Sequence, residues 1–406
     1  MKKRLWNWRM IPWVFWFCSC ATVAIMAVAN SAGWDLRVYT QAMEWVRGGH
    51  DPYAQGVAVQ QAFYDQHGLH AHGPRPMTYV YSPITLPALR LAGMIAPWLR
   101  NGLYWLAYAA AVLGQIWVVM QLPEKRERQT FLFLAPAAAF FPGLLQHDVI
   151  FSGNLVYILY GLIFGAAYRG WKRGKWGWFY AAVLITGCCK APLLTLLAIP
   201  VFSARKQWLK AAVNGAVGIS ICAGQAWFWP EKFNSYLQAV ELQFRYNRDF
   251  GIAPAGMLGR ALLDAGMPYW KASTALYLLI AASVLATLIY FSRRFFAGEY
   301  SLERWVPVML VGVVLLNPRI KEYDVAMLTL PMALLGWRAL ETAIGSKTGA
   351  IIAGAALFLA ANVIAFIGIG DNWKYTEMVL LLALFAGGCW QLTRQRREDY
   401  LPSLQR

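Results

Sequence analysis

Charged residues are scarce in this chain, and acidic residues are the scarcest. Only 14% of the 406 residues are charged, with 20 acidic against 37 basic side chains. A soluble protein carries about 25% charged residues. This deficit excludes an ordinary soluble domain, and it is matched by 59% hydrophobic residues and a mean hydropathy of +0.41.

Two further absences narrow the class of membrane protein. No stretch alternates polar and apolar residues at every second position, which excludes a porin-type barrel. The first apolar segment is too long for a signal peptide and lacks a small-residue cleavage site. What is present are long runs such as IPWVFWFCSCATVAIMAVANSA and GAIIAGAALFLAANVIAFIGIG, close to the ~20 residues that cross a bilayer. The sequence predicts an all-α polytopic membrane protein.

The cysteines also point away from disulfide or metal chemistry. All six lie within apolar segments, where thiols behave as small buried hydrophobic groups. They are Cys18, Cys20, Cys188, Cys189, Cys222 and Cys389.

The basic residues cluster in short loops between the apolar runs, and these loops are KKRLWNWR, EKRER, RGWKRGK, ARKQWLK, SRR and RQRR. This is the positive-inside pattern of membrane proteins rather than a nucleic-acid patch. We therefore expect one integral-membrane domain over 1–406 with both termini in the cytoplasm and about twelve hydrophobic helices, two of them short. External loops are predicted at 32–100, with juxtamembrane helices, and at 229–269, and a cytoplasmic tail at 393–406.

The stretch 176–202 must cross the membrane an even number of times, because basic loops that are predicted to be cytoplasmic flank it on both sides. It must leave the cytoplasm and return, yet it is too short for two full spans of ~20 residues each. We predict two short helices that break near CCKAP, which places Lys190 at the break. Broken helices at membrane depth are tolerated where they are buried or line a cavity.

Asp35 lies immediately after the first apolar run, in the stretch SAGWDLRVYTQAMEWVRGGHDPY. Two interpretations are open at this point. Asp is a favoured N-cap residue, so Asp35 could cap a helix over 36–47. An ionisable group at the membrane edge could equally be catalytic.

No metal site is predicted. The tract DQHGLHAHGPRP has closely spaced histidines, but it is a Gly/Pro-rich loop in which such residues are more often solvated. The external carboxylates include no D-x-D pair, and Mg²⁺ or Mn²⁺ needs converging oxygen ligands. We therefore expect no cofactor and no metal dependence. Asp148 is the main exception to this expectation, because its loop could approach Asp35 and bring two carboxylates together.

Several stretches, taken in order, resemble the membrane-embedded GT-C glycosyltransferases, within them glycosyltransferase family 87, whose members use polyprenol-phosphate mannose. These stretches are WDLRVYTQAMEWVRGGHDPY, YVYSPITLPAL, SGNLVYILYGLIFGA, AAVLITGCCKAPLLTLLAIPVF and NPRIKEYDVAMLTLP. They cover most of the chain from 33 to about 335.

The resemblance implies a GT-C fold in the bacterial plasma membrane, with the active site facing the periplasm or exterior. It also implies an inverting transfer of a mannose-like hexose or a pentose from a polyprenyl-phosphate donor to a glycan or glycolipid hydroxyl, with Asp35 as the general base. Some family members contact the donor phosphate with histidines in the segment that matches NPRIKEYD. This chain has none there, so Arg319 and Lys321 are the nearest substitutes.

The other residues expected at the substrate are external and polar or aromatic. Together with the two substitutes, the predicted substrate-binding residues are Lys190, Arg319, Lys321, His147, Asp148, Arg245, Arg248 and Tyr81. Cations near the outer membrane surface suit a phosphate leaving group, since they stabilise the charge that develops on it.

A transporter or flippase of lipid-linked sugars is the alternative function. Many transporters are built from internal repeats. We find no repeat in this chain, and its membrane-proximal polar residues gather on one predicted face. Both features favour the enzyme.

Overall fold

The computed structural model describes residues 33–68, 76–120, 152–246, 250–346, 348–354, 356–357 and 375–404, and these ranges contain helices and connecting loops but no strand. The α-helices are α1 (Trp34–Arg47), α2 (Pro52–His67), α3 (Leu86–Gly93), α4 (Pro97–Met120), α5 (Val156–Arg173), α6 (Gly177–Cys189), α7 (Ala198–Ser203), α8 (Trp208–Phe228), α9 (Pro230–Arg245), α10 (Pro254–Asp264), α11 (Trp270–Phe296), α12 (Leu302–Leu315), α13 (Glu322–Ala326), α14 (Thr329–Ile344) and α15 (Tyr375–Leu404). Short 3-10 helices cover Pro83–Thr85 and Ala191–Leu197. The all-α prediction is confirmed for this part of the chain.

Two of these helices, α8 and α11, are long and apolar enough to cross a membrane. Only 17% of the apolar window of each is buried within the protein, so most of its apolar surface faces outward. Large aromatic side chains stand exposed at the helix ends, among them Trp208, Trp227 and Trp270. Such aromatic residues are typical of the membrane interface. The predicted count of about twelve helices and their orientation stay predictions.

Three of the basic loops meet at one end of the helical bundle. The Trp305 indole and the Ser292 hydroxyl both donate to the backbone oxygen of Phe202, at 2.8 and 3.2 Å. Arg205 donates to the backbone oxygen of Phe296. We call this the basic end. The clustering that the positive-inside pattern predicted is therefore present in three dimensions, where a single end collects RGWKRGK, ARKQWLK and SRR.

The stretch 176–202 forms the predicted broken hairpin. α6 ends at Cys189, Lys190 takes an extended backbone conformation, and Pro192 lies in the first turn of the following 3-10 helix. A proline there lacks the N–H that would continue the ladder, so the helix cannot run on. The Tyr180 hydroxyl donates to the backbone oxygen of Gln207 at 3.3 Å, so the chain returns to the basic end.

A layer of shorter helices covers the opposite end of the bundle. In it α1 packs against α3, and α2 packs against α9. A small core of mostly aromatic and aliphatic residues holds this layer together, namely Tyr39, Ala42, Tyr53, Tyr79, Leu86, Leu89 and Ala239. The larger core of the bundle surrounds α12, where every residue from Pro307 to Leu315 is buried.

Two stretches predicted to lie outside the membrane contain helices. The last helix, α15, continues to Leu404, through most of the predicted tail from 393. The predicted external loop 229–269 contains α9 and α10, and amphipathic helices that lie at a membrane surface carry charged positions as this stretch does. The placement of both stretches relative to the membrane stays a prediction.

Candidate functional site

Asp35 lies in the first turn of α1, one residue inside the helix. The helix begins at Trp34, and its N-cap residue is Gly33, which forms no side-chain cap hydrogen bond. The interpretation of Asp35 as the N-cap is therefore wrong. The Asp35 backbone N–H donates to the Ser152 oxygen at 2.8 Å, which ties α1 to the loop before α5.

Asn154 holds the Asp35 carboxylate. Its Nδ2 donates to Asp35 Oδ2 at 2.8 Å, while its Oδ1 accepts the Val156 N–H at 2.9 Å. The backbone donor fixes which end of the amide is oxygen, and hence which end faces the carboxylate. Asn154 is 8% exposed and Asp35 is half-buried. The orientation of the carboxylate therefore depends on the start of α5.

Gly153 allows these two elements to approach each other. Its φ of +70° is in the left-handed region, which favours glycine. A Cβ at this position would lie 2.7 Å from Leu36 Cδ1, closer than real side chains allow. The glycine of the SGN stretch is therefore required both for the turn and for the contact with α1.

A chain of hydroxyl groups continues from Asn154. The Tyr81 hydroxyl donates to Asn154 Oδ1 at 3.5 Å, and it lies 2.6 Å from the Tyr39 hydroxyl. The Leu155 N–H donates to Tyr39 Oη at 3.4 Å. Since Tyr81 gives its own proton to Asn154, Tyr39 is the donor between the two tyrosines. The hydroxyl of Tyr39 therefore donates to Tyr81, Tyr81 donates to Asn154, and the amide of Asn154 donates to Asp35.

Both tyrosines stay protonated near neutral pH. Burial raises the pKa of Tyr39 and of Tyr81 well above the usual range, and the negative charge of Asp35 raises both further. Burial disfavours the charged phenolate, and a neighbouring carboxylate repels it. They therefore act as neutral hydrogen-bond donors beside a carboxylate.

Lys190 forms an ion pair at the break between α6 and the 3-10 helix. Its Nζ lies 2.9 Å from Asp324 Oδ1, and the Asp324 side chain is fully buried. The Tyr160 hydroxyl donates to the same oxygen at 3.3 Å, and the Lys321 backbone N–H donates to Oδ2 at 2.9 Å. Asp324, which was not among the residues predicted at the site, is therefore the partner of Lys190 in the structure. A buried carboxylate needs such partners, because an unpaired charge there is costly.

The two clusters belong to the same end of the bundle. The Ser82 hydroxyl donates to the backbone oxygen of Cys188, two residues before Lys190, and Tyr81 lies close to Cys189. Tyr160 lies on α5, the helix that starts at Asn154, about 6 Å along its axis from Val156. We call this region the Asp35 end. It brings together Asp35, Tyr81, Lys190 and Lys321 among the predicted residues.

Of the remaining predicted residues, Arg319 and Arg245 lie beside aromatic rings, and three fall outside the described ranges. The Arg319 guanidinium lies over the Phe244 ring, 5.4 Å from its centroid, and Arg245 is exposed at the end of α9. His147, Asp148 and Arg248 fall outside the ranges that the structure describes. The roles assigned to all of these residues stay predictions.

Asn317 is a buried polar residue beside the Lys190 ion pair. It is 2% exposed, and its Oδ1 accepts the Arg319 N–H at 3.0 Å. Its side-chain amide also lies next to the Tyr160 hydroxyl, which in turn donates to Asp324. Asn317 therefore belongs to the polar network around Asp324.

In the ranges that the structure describes, no three His, Cys, Asp or Glu side chains lie close enough together to hold a metal ion. Of the predicted histidine tract only His67 is described; it is exposed, and its Nδ1 lies 2.9 Å from the Phe63 oxygen. Metal independence stays a prediction. The four described cysteines are free thiols, as expected.

Sequence reasoning missed four residues of this site, which are Tyr39, Asn154, Tyr160 and Asp324. Asn154 had a signal, since it follows a glycine at the start of an apolar helix. Asp324 had a weaker one, because a carboxylate beside a membrane helix needs a partner. Tyr39 and Tyr160 look like ordinary interface aromatics in sequence. No family model, curated protein or solved structure matches this chain.

Proposed function

We propose that this protein is an inverting membrane glycosyltransferase. It takes a mannose-like sugar from a polyprenyl phosphate and transfers it to a hydroxyl acceptor on the outer face of the plasma membrane. The observation that carries the proposal is that one end of the bundle holds both an oriented carboxylate, Asp35, and a paired lysine at a helix break, Lys190. An acceptor hydroxyl needs a base, and a departing phosphate needs cations.

The reaction that these groups support is a single displacement. Asp35 takes the proton of the acceptor hydroxyl as its oxygen attacks the anomeric carbon from the face opposite the phosphate. The bond between the anomeric carbon and the phosphate oxygen breaks, and polyprenyl phosphate leaves with the electron pair. A β-linked donor then gives an α-glycoside.

Asn154 serves this step by fixing the carboxylate. Its amide leaves Asp35 little freedom to rotate, because both ends of the amide are engaged. Fixing a catalytic group in its reactive orientation lowers the entropic cost of reaching the transition state. Tyr39 and Tyr81 hold Asn154 in turn and supply no proton near neutral pH.

Lys190 pairs with the buried Asp324 carboxylate through its side chain at 2.9 Å, whereas Lys321 donates to it through its backbone N–H and carries its ammonium over the Tyr323 ring. These groups could bind phosphate oxygens in place of the histidines of the GT-C pattern. The pairing with Asp324 lowers the net charge of the cluster, so its main effect is to position the lysine.

The test is a transfer assay in detergent with a panel of polyprenyl-phosphate sugars, comparing Asp35→Asn with Asp51→Asn. Asp35→Asn keeps the shape but removes the base, and we expect transfer to fall by about 10²- to 10⁴-fold. Asp51 caps α2 by accepting the Tyr53 N–H at 2.9 Å, and asparagine caps equally well, so Asp51→Asn should stay active.

Near-normal transfer by a folded Asp35→Asn variant would refute the role of Asp35. If no donor in the panel is consumed, while labelled lipid-linked sugar crosses proteoliposome membranes, the protein is a flippase. The assay thus separates the enzyme from the transporter that the sequence left open.

A further inference from the structure

A polar cavity lies at the basic end, away from Asp35. Its volume is about 270 Å³, and it lies between α12, α14 and α15. Its polar lining residues are Arg304 of α12, Arg338, Glu341 and Thr342 of α14, and Gln391 and Arg394 of α15. The three arginines are far apart in sequence, and only the packing of three helices brings them together.

The lining of this cavity carries an excess of positive charge. Three arginines against one glutamate leave an excess of two. A guanidinium group stays charged at any physiological pH, so proton loss cannot relieve the repulsion among them. Repulsion between like charges grows as water is excluded. An anion with two negative charges would offset it.

Contacts with neighbouring groups orient two of the arginines, Arg338 and Arg394. Arg338 Nη1 donates to the Glu303 backbone oxygen at 3.5 Å, and the Arg394 guanidinium lies over the Trp390 ring, 5.6 Å from its centroid. Arginines pre-oriented in this way suit the planar, two-point recognition of phosphate oxygens.

Gln391 supplies an independent indication of a ligand. Its Nε2 is buried, and it forms no hydrogen bond within the part of the chain that the structure describes. A buried donor left without an acceptor destabilises the fold, which is why such groups are rare. An anion oxygen in the cavity would accept this hydrogen bond.

Apolar side chains also line the cavity and pack tightly. Val308 and Leu335 are among them, and a Cβ on Gly388 would lie 2.8 and 3.1 Å from their methyl groups. Close by, Trp390 is 53% exposed, which is typical of side chains in the interface of a bilayer. A polar cavity beside an exposed apolar side chain fits a lipid, which has a charged head group and apolar chains, better than a soluble ion.

We propose that this cavity binds the phosphate head group of an anionic phospholipid that carries two negative charges, in the leaflet that contacts the basic end. Basic pockets between membrane helices on the cytoplasmic side bind such head groups. Ligand pockets run from about 300 to 1,000 Å³, so this smaller one holds a head group while the acyl chains lie outside. The bound lipid would join α12, α14 and α15 at the end opposite the proposed transfer site.

The proposal does not depend on the proposed function, because it needs only the basic end to face a membrane. The test uses the full-length purified chain in detergent with cardiolipin, phosphatidylcholine or inorganic pyrophosphate added. Binding is read by native mass spectrometry, and stability is read as the shift in thermal midpoint. A ligand that binds only the folded state raises that midpoint.

We expect cardiolipin, but neither phosphatidylcholine nor pyrophosphate, to raise the midpoint of the natural chain. Arg338→Gln should bind cardiolipin about tenfold more weakly, because a charged hydrogen-bonding partner is lost. Arg173→Gln is the matched control, since Arg173 is an exposed arginine of the basic end that does not line the cavity. It should bind like the natural chain.

If Arg338→Gln does not fold, the exposed Arg394→Gln variant gives the same test. Equal cardiolipin binding by the natural chain and by the folded variant would overturn the proposal, because the lipid would then act through the diffuse charge of this end. Pyrophosphate that stabilises as well as cardiolipin would also overturn it, in favour of a soluble anion.

Discussion

The two ends of the bundle each hold an ion pair of the same length in different surroundings. At the Asp35 end, Lys190 Nζ lies 2.9 Å from Asp324, whose side chain is fully buried. At the basic end, Arg294 Nε lies 2.9 Å from Glu299, whose side chain is 28% exposed. The fully buried Asp324 accepts further hydrogen bonds from Tyr160 and from the Lys321 backbone, whereas Glu299 is partly exposed. The Arg294 side chain is 11% exposed and also donates to the Tyr290 hydroxyl, so the difference between the two pairs lies in their carboxylates.

This difference separates two origins of charge in a membrane protein. The basic end follows the positive-inside pattern, which sets the orientation of helices in a membrane. That pattern does not require any of its basic side chains to pair with a particular acidic residue. No such pattern explains a carboxylate with no exposed surface. Buried charges persist where each is paired or used, and this makes the Asp35 end the site to test first.

The largest expected effect compares the two pairs directly. Asp324→Asn removes the charge that Lys190, Tyr160 and the Lys321 backbone share, and we expect the free energy of unfolding to fall by about 3–5 kcal/mol. Glu299→Gln should cost less, about 1 kcal/mol, because the Glu299 carboxylate is partly exposed to solvent. Reversible unfolding in mixed detergent micelles measures both, and equal losses would contradict the distinction.

The second comparison uses two glycines with the same backbone conformation. Gly153 has φ +70° and would place a Cβ against Leu36, whereas Gly174 has φ +67° and nothing within 4 Å of a Cβ. Gly174→Ala should cost about 1–2 kcal/mol from backbone strain alone. Gly153→Ala adds the clash, for a total of about 2–5 kcal/mol. Unfolding measurements that show the same loss for both would rule out the close approach of α1 and α5.

A third comparison concerns two asparagines. If Asp35 is the base, Asn154→Ala releases its carboxylate, and we expect transfer to fall by about 10- to 100-fold from lost positioning. Asn214 at the basic end donates to the Lys210 oxygen at 2.7 Å and is exposed, so Asn214→Ala should leave transfer unchanged. Initial rates of both variants decide the matter, and full activity of Asn154→Ala would show that Asp35 needs no such support.

The smallest expected effect is that of chelation. If protein cations bind the donor phosphate, as we propose, EDTA should leave the transfer rate of the purified protein unchanged, and added Mg²⁺ or Mn²⁺ should not raise it. Activity that EDTA removes and Mn²⁺ restores would contradict this prediction and would favour Asp148 as a ligand.

Particular residues show how far the sequence reached. The break at Lys190 was predictable, because two basic flanks and a proline leave a short segment one way to leave and return. Its partner was not predictable, since Asp324 is 134 residues away and several external acids were equally available. Asp35 was singled out by its place beside the first apolar run, yet the cap interpretation failed because the helix begins at Trp34, two residues before the predicted start at 36.

The sequence by itself determined the helical class, the apolar composition and the collection of basic loops at one end, since these follow from hydropathy and charge, which are local and additive. Only the tertiary structure decided that Asn154 holds Asp35, that Asp324 pairs with Lys190, and that three distant arginines line one cavity. Such contacts depend on how helices pack within a few ångströms of one another. Packing of that kind is a property of the whole chain, and no single segment encodes it.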